Sequence, residues 1–194
     1  MRFAICNETF QDRSVEEGFD FAAECGYEGI EIAPFTLSTY AHDISSARRT
    51  EVRRAAERAG LEVVGLHWLL AKTEGFHLTS PDAAVRAKTA DYLGALVDLC
   101  AELGGRVMVL GSPQQRNLLP GVSAEQATDF ALEVLASLGP QLEQGGVTLA
   151  LEPLAPAETN FLTTAAEAMK LIDRIGHPQV RLHLDCKAMA SEAV

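Results

Sequence analysis

The chain has 194 residues, 47% of them hydrophobic, and carries 16 Lys and Arg against 27 Asp and Glu for a net charge of −11. That length suits one domain with a substantial core, while the charge sets the molecule's field against nucleic acid and anionic membrane surfaces. A small neutral or metal-bridged molecule is the better-matched partner. The apolar run at residues 3–6 is too short for a signal h-region, and no run approaches the roughly 18 residues of a membrane span. Cys6, Cys25, Cys100 and Cys186 are far apart and form no CxxC pair, which reads as four reduced thiols in the cytoplasm. Cys25 and Cys100 are expected on apolar helix faces, and Cys186, beside Asp185, is expected to be a small buried thiol.

Short apolar, β-branched runs alternate along the chain with segments of helical periodicity. The first strand is predicted over residues 2–6, and the helix after it opens with a Ser14…Glu17 capping box and closes at Gly26. The second strand is predicted at 29–33, with its helix at 46–60. The third covers 61–67, after which Ser80-Pro81-Asp82 starts a long helix with Leu93, Leu96, Val97, Cys100 and Leu103 on one face. Gly104-Gly105 ends it. The fourth strand is expected at 106–110, followed by a helix capped by Ser123…Gln126 and kinked or interrupted at Pro140. The fifth is expected at 147–151, with Thr164…Glu167 capping the next helix, and the sixth at 180–184. This makes six strands and five crossover helices.

Strict alternation with apolar strands implies an α/β protein with a parallel sheet under helices, either an open doubly wound sheet or a barrel. The first turn, Cys6-Asn7-Glu8-Thr9-Phe10, lacks the glycines that open a nucleotide-binding sheet, which favours the (β/α)8 TIM barrel. Five units of about 36 residues separate the first and sixth strands, and eight such units would need roughly 285, slightly longer than a typical barrel. Residues 1–194 are therefore expected to form a single, incomplete TIM-barrel domain of about six β/α units. An open six-strand arc would leave unpaired edges and an exposed interior, so strands seven and eight are expected to be truncated from these residues.

In such a barrel the active site lies at the carboxyl ends of the strands, where an ionisable residue is costly unless paired or bound to metal. Four predicted strands end in one: Glu31, His67, Glu152 and Asp185. Thr148, Ala150 and Glu152 share a face at period two, with Leu149 and Leu151 turned to the helices. Asp185 repeats the arrangement with Arg181 and His183. Two carboxylates on adjacent strand ends make half of a hard-cation site; interior carboxylates paired with Arg181 are the alternative. Gly65 shares the face of His67 and would let a ligand approach, so His67 is either a substrate contact or a hydrogen-bonded core histidine. Glu31, between the small Gly29 and Ala33, is either a substrate contact or half of an ion pair across the barrel. Trp68 and Phe76 are candidates for a pocket wall.

Several segments together resemble the sugar phosphate isomerase/epimerase family with a xylose isomerase-like barrel, which includes ketose 3-epimerases. They are Phe3-Ala4-Ile5-Cys6-Asn7-Glu8, Gly26-Tyr27-Glu28-Gly29-Ile30-Glu31, Gly65-Leu66-His67-Trp68, Leu151-Glu152-Pro153-Leu154 with Glu158-Thr159-Asn160-Phe161, and Leu182-His183-Leu184-Asp185. The resemblance covers the whole chain and names a superfamily better than a substrate. It implies a divalent ion, commonly Mn2+ with Mg2+, Co2+ or Zn2+ as alternatives, held by Glu152, Asp185, and a histidine and a glutamate from two further strands. It also implies proton exchange through an enediolate at a carbon of a sugar or sugar phosphate, with Glu152 as one of two catalytic glutamates. Glu158 and His67 match substrate-binding positions.

One position departs from the pattern. Ketose 3-epimerases usually carry a substrate-binding histidine three residues after the strand-six aspartate, where this chain has Ala188. Lys187 is the candidate to replace it at a hydroxyl or phosphate. The change puts C3 epimerisation of a free ketose in question and leaves the metal site standing. An inactive or sugar-binding barrel fragment and an inosose dehydratase-like lyase are the competing readings. A type-IV apurinic endonuclease is disfavoured by the acidic charge and the missing histidines. The expected partner is a small sugar, with neither nucleic acid nor membrane, and a homo-oligomer is compatible with this reading.

Overall fold

A computed structural model describes residues 1–192. Six strands, β1 (Ala4–Cys6), β2 (Gly29–Ile32), β3 (Glu62–Leu66), β4 (Val107–Leu110), β5 (Thr148–Leu151) and β6 (Val180–Leu182), form one sheet in sequence order. Every neighbouring pair is parallel. A doubly wound sheet reverses its strand order at a switch point. This one never does, so the alternative left open by the alternating pattern resolves to the wall of a TIM barrel.

The crossovers carry α1 (Val15–Glu24), α2 (Ser46–Ala59), α3 (Ala83–Glu102), α4 (Ala124–Ala136), α5 (Gly139–Gly145) and α6 (Ala165–Ile175), and α7 (Cys186–Met189) follows β6. Their boundaries come from local chemistry. Ser14 and Ser123 each close a full capping box, with Glu17 and Gln126 respectively, satisfying backbone donors that a helix start otherwise leaves bare. Thr164 accepts from the Glu167 amide, but the Glu167 carboxylate turns to the Thr163 amide at 2.7 Å, so only half of the expected box forms. Of the kink or interruption expected at Pro140, the interruption is what forms. Helix α4 stops at Ala136 and α5 restarts at Gly139 with Pro140 in its first turn, where a missing N–H leaves nothing unpaired.

Alternation divides the sheet into two faces. Ile30, Ile32, Val63, Leu66, Met108, Leu110, Leu149, Leu151 and Val180 join one continuous core with the helices. The intervening Gly29, Glu31, Val109 and Ala150 lie outside that core and line the concave side. A bulge between Ile30 and Glu31 shifts the β2–β3 register by one residue. The close approach expected of a ligand at Gly65 is made by β4: a side chain there would run into the Val107 backbone.

Two thiols depart from expectation. Cys100 is buried in the core, but Cys25 is exposed, because α1 ends one residue earlier and leaves it on the turn into Gly26; Cys186 is exposed at the start of α7. Phe76 stacks on Tyr92 at 4.4 Å between centroids within the core, so of the two aromatic residues expected in a pocket wall only Trp68 stands at one.

Candidate active site

A cavity of about 350 Å³ opens at the carboxyl ends of the strands, and Glu31, His67, Glu152, Glu158, Asp185 and Lys187 all line it. The parallel sheet accounts for the convergence: each residue stands at or just beyond a strand terminus, so strands that pair side by side bring together positions up to 156 residues apart.

Glu152 is the most buried of the charged groups lining the cavity, at 6% exposure. Its amide continues the β4–β5 ladder by donating to the Leu110 carbonyl at 3.2 Å. Gly111 on the neighbouring strand end makes room for its side chain, since a Cβ there would collide with the Glu152 carboxylate. Burial pushes the Glu152 carboxyl above its ordinary range and nearby Asp185 adds to the shift, against the opposing pull of His67, His183 and Arg116. The nearest side chain able to carry a positive charge is His183, with Nε2 3.9 Å from Oε1, beyond hydrogen-bonding reach. The carboxylate is therefore held in the cavity wall without being neutralised.

On the opposite side of the cavity His67 Nδ1 lies 3.2 Å from Glu31 Oε2. Burial opposes a charge on His67, but the Glu31 carboxylate, with Glu152 and Glu8 farther off, outweighs it and raises the imidazole's pKa. The partner of Glu31 is thus His67, at the end of the neighbouring β3 and not across the barrel. The His67 ring also meets His183 edge-on, with centroids 6.3 Å apart, so imidazoles bridge the space between the two carboxylate corners.

Asp185 spends one oxygen as the N-cap of α7, accepting from the Ala188 amide at 2.8 Å. No ion pair joins Arg181 to Asp185 or Glu152 among the described residues. Lys187 donates to Glu158 Oε1 at 2.7 Å, and that bond is the main cause of its raised pKa. The two residues expected at the substrate's polar end are therefore partners of each other.

Arg116 was not among the expected site residues. It is 2% exposed, and its Nη1 donates to the Glu152 carbonyl at 2.7 Å while Nη2 donates to Leu162 O at 3.4 Å. Burial lowers its pKa to about 10, and Nε has no partner among the described residues. Arg116 fixes the backbone from which Glu152 projects. Its signal was invisible in the sequence, because its partners are carbonyls 36 and 46 residues away.

As metal ligands, Glu152 and Asp185 are hard oxygen donors on one cavity. No group of three or more His, Cys, Asp or Glu side chains able to hold a metal occurs among the described residues. The donors are of the right kind but too few to complete a site by themselves.

A family model described as Xylose isomerase-like TIM barrel matches residues 19–192. Fructoselysine 3-epimerase of Shigella flexneri is 23% identical over 168 residues, which are 86% of this chain and 59% of that protein. L-ribulose 3-epimerase of Mesorhizobium japonicum is 31% identical over 108 residues, 56% of this chain and 36% of that protein. Among solved structures, D-psicose 3-epimerase with D-tagatose from Clostridium cellulolyticum H10 superposes with a TM-score of 0.85 at 19% identity, covering 99% of this chain and 66% of the other. That likeness establishes the fold. The chain spans less than two-thirds of the length of these curated relatives.

Proposed function

The chain belongs to the xylose isomerase-like TIM-barrel family, and from that premise we propose that its site serves a sugar isomerase or epimerase, moving a proton at a carbon beside a carbonyl of a sugar or sugar phosphate. One observation carries the reading: Glu152 is a buried, un-neutralised carboxylate with a raised pKa, facing a sugar-sized cavity at the strand ends. A base of this kind is effective because its affinity for a proton has been lifted toward the working pH.

In this reading Glu152 takes the proton from the substrate carbon, leaving an enediolate, and Arg116 holds the Glu152 backbone so that the carboxylate stays aimed. The Glu31–His67 pair presents a fixed imidazole to a substrate oxygen, and Glu158 with Lys187 offers an acceptor and a donor at the outer end. Glu152 and Asp185 would hold a divalent ion, manganese first among the candidates, and when bound it supplies a Lewis acid that makes the carbon more acidic. Fructoselysine, L-ribulose and D-psicose 3-epimerases are among the similar proteins, which supports a ketose or ketose derivative as substrate.

The test is Glu152→Gln in the whole protein, scored by deuterium uptake from heavy water into a panel of ketoses and ketose phosphates. We expect uptake to fall about 10²- to 10⁴-fold. Uptake at the wild-type rate would remove Glu152 from the mechanism.

A further inference from the structure

Beside the site a second cavity, of about 590 Å³, opens between Phe35, Trp68, Lys72, Gln11, Gln114 and Gln115. Glu8, Trp68, Ser112 and Pro113 line both cavities, so the two form one continuous trough with Trp68 at the junction. Trp68 is the chain's single tryptophan and is 45% exposed. Its backbone is left-handed, at φ 57°, a conformation that bulky residues rarely adopt and that tends to occur at ligand clamps.

The two residues that follow explain how it is held. Leu69 and Leu70 are sunk in the core, the Leu70 amide donates to Ser112 Oγ at 3.3 Å and its carbonyl accepts from Thr73 Oγ1 at 2.7 Å. The segment is thus pinned from below while the indole is turned outward over the trough. An exposed aromatic face ringed by amide side chains suits a sugar ring, whose C–H surface stacks on the indole while its hydroxyls meet the amides. The charges lining this cavity are one of each sign, Glu8 and Lys72, and Lys72 already lies over the Phe35 ring, 4.2 Å from its centroid. A dianionic phosphate would call for several cations or a bidentate arginine, so the balance favours a neutral polyol.

We propose that this trough is a second sugar subsite: the protein takes a ketose carrying a further sugar ring, the ketose lying at Glu152 and the outer ring stacking on Trp68. The inference rests on the sugar-site reading above for the inner half and on Trp68 for the outer.

Trp68 is its own reporter. With manganese present, tryptophan emission and titration calorimetry of the 194-residue chain would be followed against lactulose, D-fructose, methyl β-D-galactopyranoside and fructose 6-phosphate. We expect lactulose to bind about tenfold more tightly than fructose, and the methyl galactoside to shift the emission unaided. Ala71→Phe fills the outer cavity without touching the inner one, and should bring lactulose down to the affinity of fructose while fructose is unchanged. A lactulose advantage that survives Ala71→Phe would overturn the subsite. So would equal affinities for lactulose and fructose in the wild type, fructose 6-phosphate binding best, no response to any of the four, or emission that shifts on dilution alone and so assigns Trp68 to an interface between copies. Should Ala71→Phe fail to fold, the wild-type comparison decides by itself. The two readings separate: response to the methyl galactoside without response to fructose supports the subsite and counts against the isomerase, whereas fructose binding alone does the reverse.

Discussion

The two faces of the sheet are built from the same six strands and solve opposite problems. The convex face presents Ile, Val, Leu and Met to the helices and closes into one core. The concave face alternates small residues such as Gly29 and Ala150 with Glu31 and, past the strand ends, Glu152, His183 and Asp185. On the first, side-chain volume is the whole requirement, whereas on the second the volume is kept small so that charge can be kept there. Even within the concave face the charges differ. Glu31 has a histidine partner at hydrogen-bonding distance, while the Glu152 carboxylate is more buried and has none among the described residues, and a carboxylate left in that condition is where a ligand's own charge or proton is wanted.

Thiol chemistry probes how closed each face is and should give the largest contrast. Burial pushes Cys100, on the convex side, and Cys6, on the cavity wall, up to about 12, the latter helped by Glu31 and Glu8. At neutral pH each then holds about 10³-fold less thiolate than an ordinary cysteine, while Cys25 and Cys186 are exposed. Two thiols should therefore label rapidly with a disulfide reagent and two slowly. Rapid labelling of Cys6 would mean that the concave face is more open than its packing indicates.

Core truncation comes next. Leu96 is fully buried among the convex-side residues, and Leu96→Ala should cost about 2–5 kcal/mol in urea unfolding, through lost transfer energy plus the cavity left behind. A loss under about 1 kcal/mol would break the assignment of stability to this face.

Arg116→Ala should cost about 1–3 kcal/mol, because the Glu152 and Leu162 carbonyls lose their donor inside the structure. Arg116→Lys should recover part of this, since a single nitrogen replaces the two that reach separate carbonyls. The distinguishing readout is amide hydrogen exchange at the β5 end: a residue that positions Glu152 speeds exchange there, and a merely global destabilisation speeds it everywhere.

Both faces are largely legible in the sequence, for a physical reason. Strand alternation and helix caps are local, so all six strands appear in the sequence within a residue or two of their observed ends, and a strand-terminal charge is a local signal too. That is why Glu31, His67, Glu152 and Asp185 turn up on one cavity, where Glu158 and Lys187, which only the family resemblance points to, join them. What stayed hidden depends on contacts across the chain: the identity of Glu31's partner, the Lys187–Glu158 bond, the bulge at Ile30, and Arg116 clasping two distant carbonyls. Glycine was misread for the same reason. Gly65 was a plausible opening for ligand and instead admits β4, whereas Gly111, with no pattern to mark it, clears the space for the Glu152 carboxylate.

The smallest effect lies on the outer surface of the helices, where the convex side meets solvent. Arg48 of α2 forms an ion pair with Glu16 of α1 and a second, at 2.8 Å, with Glu51 of its own helix. The hydrogen bond from Arg48 is the main cause holding the Glu16 carboxyl below its usual range, with burial working against it. A carboxylate whose pKa is lower folded than unfolded binds its proton more weakly in the native state. Its stabilisation is therefore present above the unfolded value and lost as pH falls through the folded one. The pair is about one-third exposed, so solvent screening reduces it to a few tenths of a kcal/mol. In urea unfolding followed from pH 7 to pH 3, Glu16→Gln should differ from wild type by that amount at pH 7 and converge with it in acid. A difference that grows in acid would have the wrong sign for this pair, and one approaching that of Leu96→Ala would mean that the outer helix surface, and not the apolar core beneath it, is what holds the convex face.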